Sequence, residues 1–343
     1  MKKTVVSGIR ATGRMHLGNY YGALRHFARL GADPGYLCYF FIASLHSLTT
    51  LVKRKDAAAD AAQMRQDTRT IVRDMLAVGV DPDRSVIYDQ STVPETTELA
   101  WILGCLTSVS ELVGMPHFKD KRNQLSGLGV DANAGLLTYP VLMAADILGP
   151  LAHLVPVGED QHPHVELTRD LARRFNARFE VDLFPIPGLI EEEAVRVPGL
   201  DGSGKMGKSE SGGNAIWLDD PPEAVLSKLR PAVTDTARVR RTDPGNPEHC
   251  NVFALHRLVS PGEDIAWAQT GCTTAGIGCL ECKMRLGEHV NTLLAPIQEK
   301  RREIDARGDA YIDEILESGG ERARACIAPT VAEVKRLVGY PTL

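Results

Sequence analysis

The sequence predicts an α/β protein: a parallel sheet with helices on its faces, followed by an all-helical region. Three observations carry this. Strand-like and helix-like segments alternate through the first half, and strands joined by helical crossovers run parallel. Residues 36–43 form a continuous apolar run, as a strand buried on both faces requires. After Asn214 the patterning is helical only.

Taken in order, residues 4–9 are β-branched and end in a Gly-containing turn. Residues 17–30 repeat apolar side chains at helical spacing (Leu17, Tyr20, Tyr21, Leu24, Phe27, Ala28). Residues 56–78 predict a long helix that Asp56 caps, with Ala61, Met64, Ile71, Met75 and Leu76 on one face. A short strand at 85–88 precedes helices at 95–109 and 136–147. A buried strand at 153–157 and a helix at 160–176 complete the alternation. Helices then follow at 222–229, 253–258, 279–301, 310–316 and 323–337, the last broken by Pro329. Gly and Pro cluster at 185–213 and 243–247, and the domain change is set near residue 215.

Composition narrows the function classes. A length of 343 residues suggests about two domains with a sizeable core. The 39 Lys+Arg against 44 Asp+Glu give −5, which argues against wrapping in nucleic acid but leaves room for a local basic face. No stretch approaches the roughly 18 apolar residues of a membrane span. The basic start lacks the apolar core of a secretory signal. The seven Cys are too few in so long a chain for a disulfide scaffold.

Two glycine-bearing turns carry the chemistry. Residues 7–19 link the first strand to the first helix. Gly8, Gly13 and Gly18 let backbone approach a ligand, free N–H groups at a helix start suit phosphate, and Thr12, His16 and Asn19 add neutral donors. Residues 202–213 place Lys205 and Lys208 in a Gly-rich loop that can bring cations over a phosphate as charge moves. Singly, the first is equally an ordinary turn and the second a solvated linker. The first is neither G-x-G-x-x-G nor G-x-x-x-x-G-K-[ST].

Together they resemble class I aminoacyl-tRNA synthetases: His16-Leu17-Gly18-Asn19 their His-x-Gly-His signature, Lys205-Met206-Gly207-Lys208-Ser209 their Lys-Met-Ser-Lys-Ser signature. Ser7-Gly8-Ile9, Phe118-Lys119-Asp120-Lys121, Ala134-Gly135-Leu136-Leu137-Thr138-Tyr139-Pro140 and Leu142-Met143-Ala144-Ala145-Asp146 are similar to bacterial tryptophanyl-tRNA synthetases. So are Val155-Pro156-Val157-Gly158-Glu159-Asp160-Gln161, Glu166-Leu167-Thr168-Arg169-Asp170 and Ala232-Val233-Thr234-Asp235. The resemblance spans residues 4 to 235 and continues more weakly beyond.

That resemblance implies a Rossmann-like catalytic domain, 1–214, and a helical anticodon-binding domain, 215–343, whose last helix packs back on the first. It implies activation of L-tryptophan by ATP with Mg2+, transfer to tRNA(Trp), a homodimer and a cytoplasmic setting. Arg10, Ala11, Thr12, Gly18, Asn19, Gly158, Glu159, Asp160, Val197, Met206, Gly207 and Ser209 would line ATP. Lys121, Lys205 and Lys208 would address phosphates, with His16 and Asn19 in the catalytic set. The in-line attack needs positioning and charge stabilisation rather than a covalent nucleophile. Tyrosyl-tRNA synthetase, or a weakened synthetase-like binding protein, is the alternative.

Asp146 is the expected amino-acid reader. A carboxylate in an apolar helix is costly without a partner, and the donor-only indole N–H suits it; a helix cap or structural ion pair is the bland account. His46, Met143, Val155, Val157 and Gln161 are weaker pocket candidates. Two positions depart from the family pattern: Gly207 where Ser is usual, which removes a hydroxyl, and Arg10 where Gln is common, which adds a cation.

Cys250, Cys272, Cys279 and Cys282 form C-x21-C-x6-C-x2-C. Four thiols with a closing Cys-x-x-Cys suit zinc or an iron–sulfur cluster, and spacing alone does not separate them. A subset of bacterial tryptophanyl-tRNA synthetases is similar here and carries a 4Fe-4S cluster, so the resemblance favours the cluster over Zn2+. Cys38, Cys105 and Cys326 read as structural. Arg238, Arg240 and Arg241 flank the quartet and are the best anticodon-side candidates. Lys300, Arg301 and Arg302, and Arg169, Arg173, Arg174 and Arg178, are by default solvated faces.

Overall fold

A computed structural model describes residues 2–51, 57–127, 131–190, 195–202, 204–207 and 213–341. Five strands make one sheet: β1 (Lys3–Ile9), β2 (Tyr36–Ile42), β3 (Val86–Asp89), β4 (Leu154–Pro156) and β5 (Gly188–Ile190). The order is β3-β2-β1-β4-β5, and every pairing is parallel. Val5 sits opposite Cys38 on one side and Leu154 on the other.

The helices are α1 (Leu17–Asn19), α2 (Arg25–Ala32), α3 (Ser44–Leu51), α4 (Ala57–Ala77), α5 (Glu95–Gly104), α6 (Val109–Gly114), α7 (Pro116–Ser126), α8 (Ala134–Leu148) and α9 (His162–Phe179). Then come α10 (Pro222–Leu229), α11 (Asn251–Val259), α12 (Gly262–Thr273), α13 (Cys279–Asp305) and α14 (Gly308–Leu337). Strand side chains alternate between faces, and so does the core. Val5, Phe40 and Ile87 join Leu24, Ile71 and Met75, then Leu229, Leu286 and Val290 of the helical half. Val6, Phe41 and Tyr88 face Leu103, Val141, Ala145 and Leu171, covered by Ala323, Ile327 and Val331 of α14.

The structure corrects several expectations. The helix foreseen over 95–109 stops at Gly104, and α6 starts afresh because Ser108 and Glu111 form a reciprocal cap. Residues 308–337 form one helix through Pro329 rather than two. Between α1 and α2, residues 20–24 widen into a π-helical turn. The sequence reading missed α3, α7, α12 and β5. Cys105 is exposed rather than a core thiol. The expected cap Asp56 lies outside the described residues.

Candidate active site

β1 pairs with β2 on one side and β4 on the other, so the strand order reverses beside it. In open α/β sheets ligands bind beyond the carboxyl ends of strands at such a point. A cavity of about 380 Å³ opens there. Gly8 and Arg10 at the end of β1, Phe41 and Ala43 at the end of β2, Val155 and Val157 at β4, and Gln161 from the turn after β4 form its walls. His46 of α3, Lys121 of α7, and Tyr139, Met143 and Asp146 of α8 close it. All the side chains expected around an indole therefore share this cavity, with Arg10 and Lys121. A Cβ on Gly8 would fall 2.4 Å from the Phe41 ring, so that wall admits only glycine in this packing.

Asp146 is 2% exposed. Its Oδ2 lies 2.9 Å from His46 Nε2, and Gln90 Nε2 donates to both carboxylate oxygens at 2.8 Å. Burial pushes its pKa up, against the His46 and Gln90 hydrogen bonds that favour the charged form. The same burial lowers the Arg10 pKa and lifts the Tyr139 phenol to about 12.

The first signature turn is stitched from both sides. His16 Nδ1 accepts from Asn19 N at 3.3 Å, and Asn19 Oδ1 accepts from His16 N at 3.1 Å. A Cβ on Gly18 would meet the His16 ring at 2.9 Å, so glycine is required for this cap. Leu17 N donates to Ile216 O, and Leu218 N to Met15 O. Arg14 pairs with Asp219 at 2.5 Å. Ala11 N donates to Ser47 Oγ at 3.2 Å, and Thr12 folds back onto Arg10 O. The second signature comes to the first: a Gly18 Cβ would stand 3.6 Å from Met206 Cβ. Met206 N donates to Val197 O at 2.7 Å, and both side chains are buried. Val197 thus anchors the loop through its carbonyl while its side chain packs in the core. Lys205 is exposed; Lys208 and Ser209 lie outside the described residues. After β4, Gln161 N caps Gly158 O, and Gln161 Nε2 donates to Asp160 Oδ2 at 2.9 Å. Glu159 begins that turn.

Cys250, Cys272, Cys279 and Cys282 face one small cavity of about 20 Å³ with Arg238 and Ile277. Burial and the neighbouring thiols push Cys282 up to about 12 and raise Cys272. As placed, no group of three or more His, Cys, Asp or Glu among the described residues is arranged to hold a metal ion. Arg238 donates to Arg241 O and Ile277 O, which folds the basic loop against the thiols. The other basic clusters are largely paired. Arg169 pairs with Glu166, Arg173 with Asp170 and Arg174 with Glu111. Lys300 pairs with Glu303 and Arg301 with buried Asp74.

Gln90, Tyr139 and His117 were not foreseen as site residues. Gln90 and Tyr139 each carried a signal: Gln90 is a polar residue in the turn after a predicted parallel strand, where ligands gather, and Tyr139 is, with Asp146, one of the few polar members of an apolar helix. His117 had none.

A five-stranded parallel sheet in this order, with the paired signature turns over its switch point, defines a class I aminoacyl-tRNA synthetase. Among such enzymes the chain belongs to the family described as tRNA synthetases class I (W and Y), whose pattern matches residues 2–295. It is 43% identical to a tryptophan–tRNA ligase of Deinococcus radiodurans, over 98% of each chain. A tryptophan–tRNA ligase of Thermotoga maritima is 42% identical, over 97% of this chain and 98% of the other. The crystal structure of tryptophanyl-tRNA synthetase from Campylobacter jejuni complexed with ADP and tryptophan superposes with a TM-score of 0.81 at 30% identity, covering 98% of this chain and 99% of that one. Among the described residues no helix is long and apolar enough to cross a membrane.

Proposed function

We propose that this chain is a tryptophan–tRNA ligase. A carboxylate oxygen of L-tryptophan attacks the α-phosphorus of ATP, which enters as its Mg2+ complex. The bond from that phosphorus to the bridging oxygen breaks, and pyrophosphate leaves. A ribose hydroxyl at the 3′ end of tRNA(Trp) then attacks the acyl carbon, and AMP leaves. The observation that carries the reading is Asp146, a buried acceptor at the wall of a cavity whose apolar side is Phe41, Met143, Ile147, Val155 and Val157, suited to the indole N–H. Near-full-length identity to tryptophan–tRNA ligases supports it.

Within this reading Gly18 and Asn19 lie under the nucleotide, with Arg10, Ala11, Thr12, Gly158, Glu159, Asp160 and Val197 along it. Lys121, Lys205 and Lys208 meet the phosphates, where charge develops on the leaving group. His46, Met143, Val155, Val157 and Gln161 enclose tryptophan. Pyrophosphate exchange tests the assignment. Tryptophan-dependent exchange is expected, lost at least 100-fold in Asp146→Ala without loss of fold, on the order of a buried charge-assisted contact. Tyrosine-dependent exchange, or none, would sink it.

We further propose that 1–214 performs the chemistry and 215–343 reads the anticodon, with Arg238, Arg240 and Arg241 on the RNA side. The four cysteines would hold a 4Fe-4S cluster, whose role is to shape the loop beside those arginines. Four thiols converging on one cavity is a soft-metal donor set. An absorption band near 400 nm in anaerobically purified protein is expected; a colourless protein with stoichiometric Zn2+ would assign zinc instead. Exposed Trp101 (71%) and Val109 (67%) support a homodimer through the α5–α6 face. Sedimentation of Trp101→Glu as a monomer, against a wild-type dimer, checks this.

A further inference from the structure

Asp146 does not hold its own orientation. Its helix supplies the backbone, but the donors on its oxygens come from two other elements, α3 and the turn after β3. Gln90, in that turn, is 1% exposed. Its amide is fixed from behind: Oε1 accepts from Leu45 N at 3.1 Å and from His46 N at 3.4 Å, at the start of α3. Two backbone donors on the oxygen leave the amino end only one direction, toward Asp146, where it lies 2.8 Å from each carboxylate oxygen. Turning the amide over would set its oxygen against a carboxylate and its N–H groups against two N–H groups, so the orientation is settled by the network.

We infer that Gln90 is a positioning residue for amino-acid selection: it locks the Asp146 carboxylate as a charged acceptor facing the cavity and holds its second partner, His46, by the backbone. This rests on the reading that Asp146 meets the indole N–H. The physical need is clear. Burial favours the protonated acid, which would offer a donor to a donor. Hydrogen bonds to the charged form oppose that, and Gln90 supplies two of them. The titratable groups around the carboxylate are His46 from α3, Tyr88 from β3 and Tyr139 from α8 itself. Asp89, next to Gln90, is turned away onto Ser44 and Ser91. None of these can replace the amide, since the two tyrosines lack hydrogen bonds to Asp146 among the described residues and His46 already uses its Nε2.

The bland account is that Gln90 only ties down the start of α3. A tie would affect stability, not the choice between substrates. The test is pyrophosphate exchange by the full chain, as wild type, Gln90→Leu and Gln90→Glu. Each is given tryptophan or β-(3-benzothienyl)alanine, an isostere with sulfur in place of the N–H, from about pH 5.5 to 8.5. Gln90→Leu should raise the tryptophan KM roughly 10- to 100-fold, with the ATP KM unmoved. Its preference for tryptophan over the sulfur isostere should fall about as much. Gln90→Glu should rescue at low pH: two carboxyls at this distance share one proton, and a protonated Glu can donate to Asp146 as the amide does. Tryptophan use should then fall as pH rises through the pair's raised pKa, a loss wild type does not show.

An unchanged substrate preference in Gln90→Leu overturns the inference. So does a pH profile of Gln90→Glu that parallels wild type, which also serves if the leucine variant fails to fold. Wild-type chain without tryptophan-dependent exchange overturns the parent reading and this one with it. Wild-type exchange with Gln90 variants of unchanged selectivity overturns this one alone.

Discussion

His164 sits fully buried at the start of α9, with Nε2 2.7 Å from the Tyr139 hydroxyl and its ring stacked 5.0 Å from His117. Its Nδ1 has no hydrogen-bond partner among the described residues. Burial and the neighbouring His117 pull its pKa down to about 4. An unfolded histidine titrates near 6.5, so between these values the unfolded chain binds more protons. The stability contributed is complete above about pH 6.5 and is lost as pH falls toward 4. Wild type should lose up to about 3 kcal/mol to this one group across that window. His164→Gln, which cannot titrate, should lose none of that share. Urea unfolding at pH 7 and pH 5 checks this; parallel losses in both proteins would refute it. Other residues differ in how far the sequence revealed them. Asp146 was legible because an ionisable group inside an apolar helix demands a reason. Gln90 carried only its place after a strand, and an amide there looks like any turn residue until α3 is seen to fold against it. Gly207 stands in open space, where an added Cβ meets nothing within 4 Å. The glycine is therefore not required by packing, and serine fits there.

The strands and long helices were legible because their patterns are strong: seven-residue β1 and β2 differ from the expected bounds by a residue. Short elements were not. α7 is mostly polar, so it has no apolar face to read. α14 shows propensity overruled. Pro329 removes one helical hydrogen bond, at a cost of about 3 kcal/mol, yet Ala323, Ile327, Val331 and Val334 on the same face are all buried against the sheet. Each buried aliphatic contributes about 1.5–3 kcal/mol, so packing wins and the helix continues. Its closeness to the sheet rests on Gly319, where a Cβ would lie 1.7 Å from Ile87 O of β3. A strand carbonyl cannot swing aside. Gly319→Ala should therefore lift α14 off β3. The strain outweighs the roughly 1 kcal/mol gained in helix propensity, giving a net loss of about 1–3 kcal/mol. Thermal unfolding measures it, and a Tm at or above wild type would refute this packing account.

Across the whole molecule, α4 is the seam between the sheet and the helical half. Arg69 pairs with Asp313 at 2.7 Å, and Arg73 with Asp305 at 3.0 Å. At the centre of the seam is Asp74, 1% exposed. It pairs with Arg301 of α13 and receives the backbone N–H of Met15, one residue before His16. One carboxylate therefore joins the helical half to the signature turn. Its Oδ2 has no partner among the described residues. Burial pushes its pKa up to about 7, even with Arg301 pulling the other way. An unfolded Asp titrates near 3.9, so the folded chain binds more protons between about pH 4 and 7. The contribution of Asp74 to stability thus falls as pH rises through that window. Arg301→Ala removes the cation that favours the charged form. Its cost should be modest near pH 5, where Asp74 holds a proton. By pH 8 it should approach the about 3–5 kcal/mol of an uncompensated buried charge. Replacing both partners, Asp74→Leu with Arg301→Leu, should recover most of that loss, while the ATP KM rises because Met15 has lost its acceptor. Urea unfolding at the two pH values separates the outcomes. A cost for Arg301→Ala that is equal at pH 5 and pH 8 would mean the pair is not buried as described, and would leave the seam to packing and to the more exposed Arg69 and Arg73 pairs.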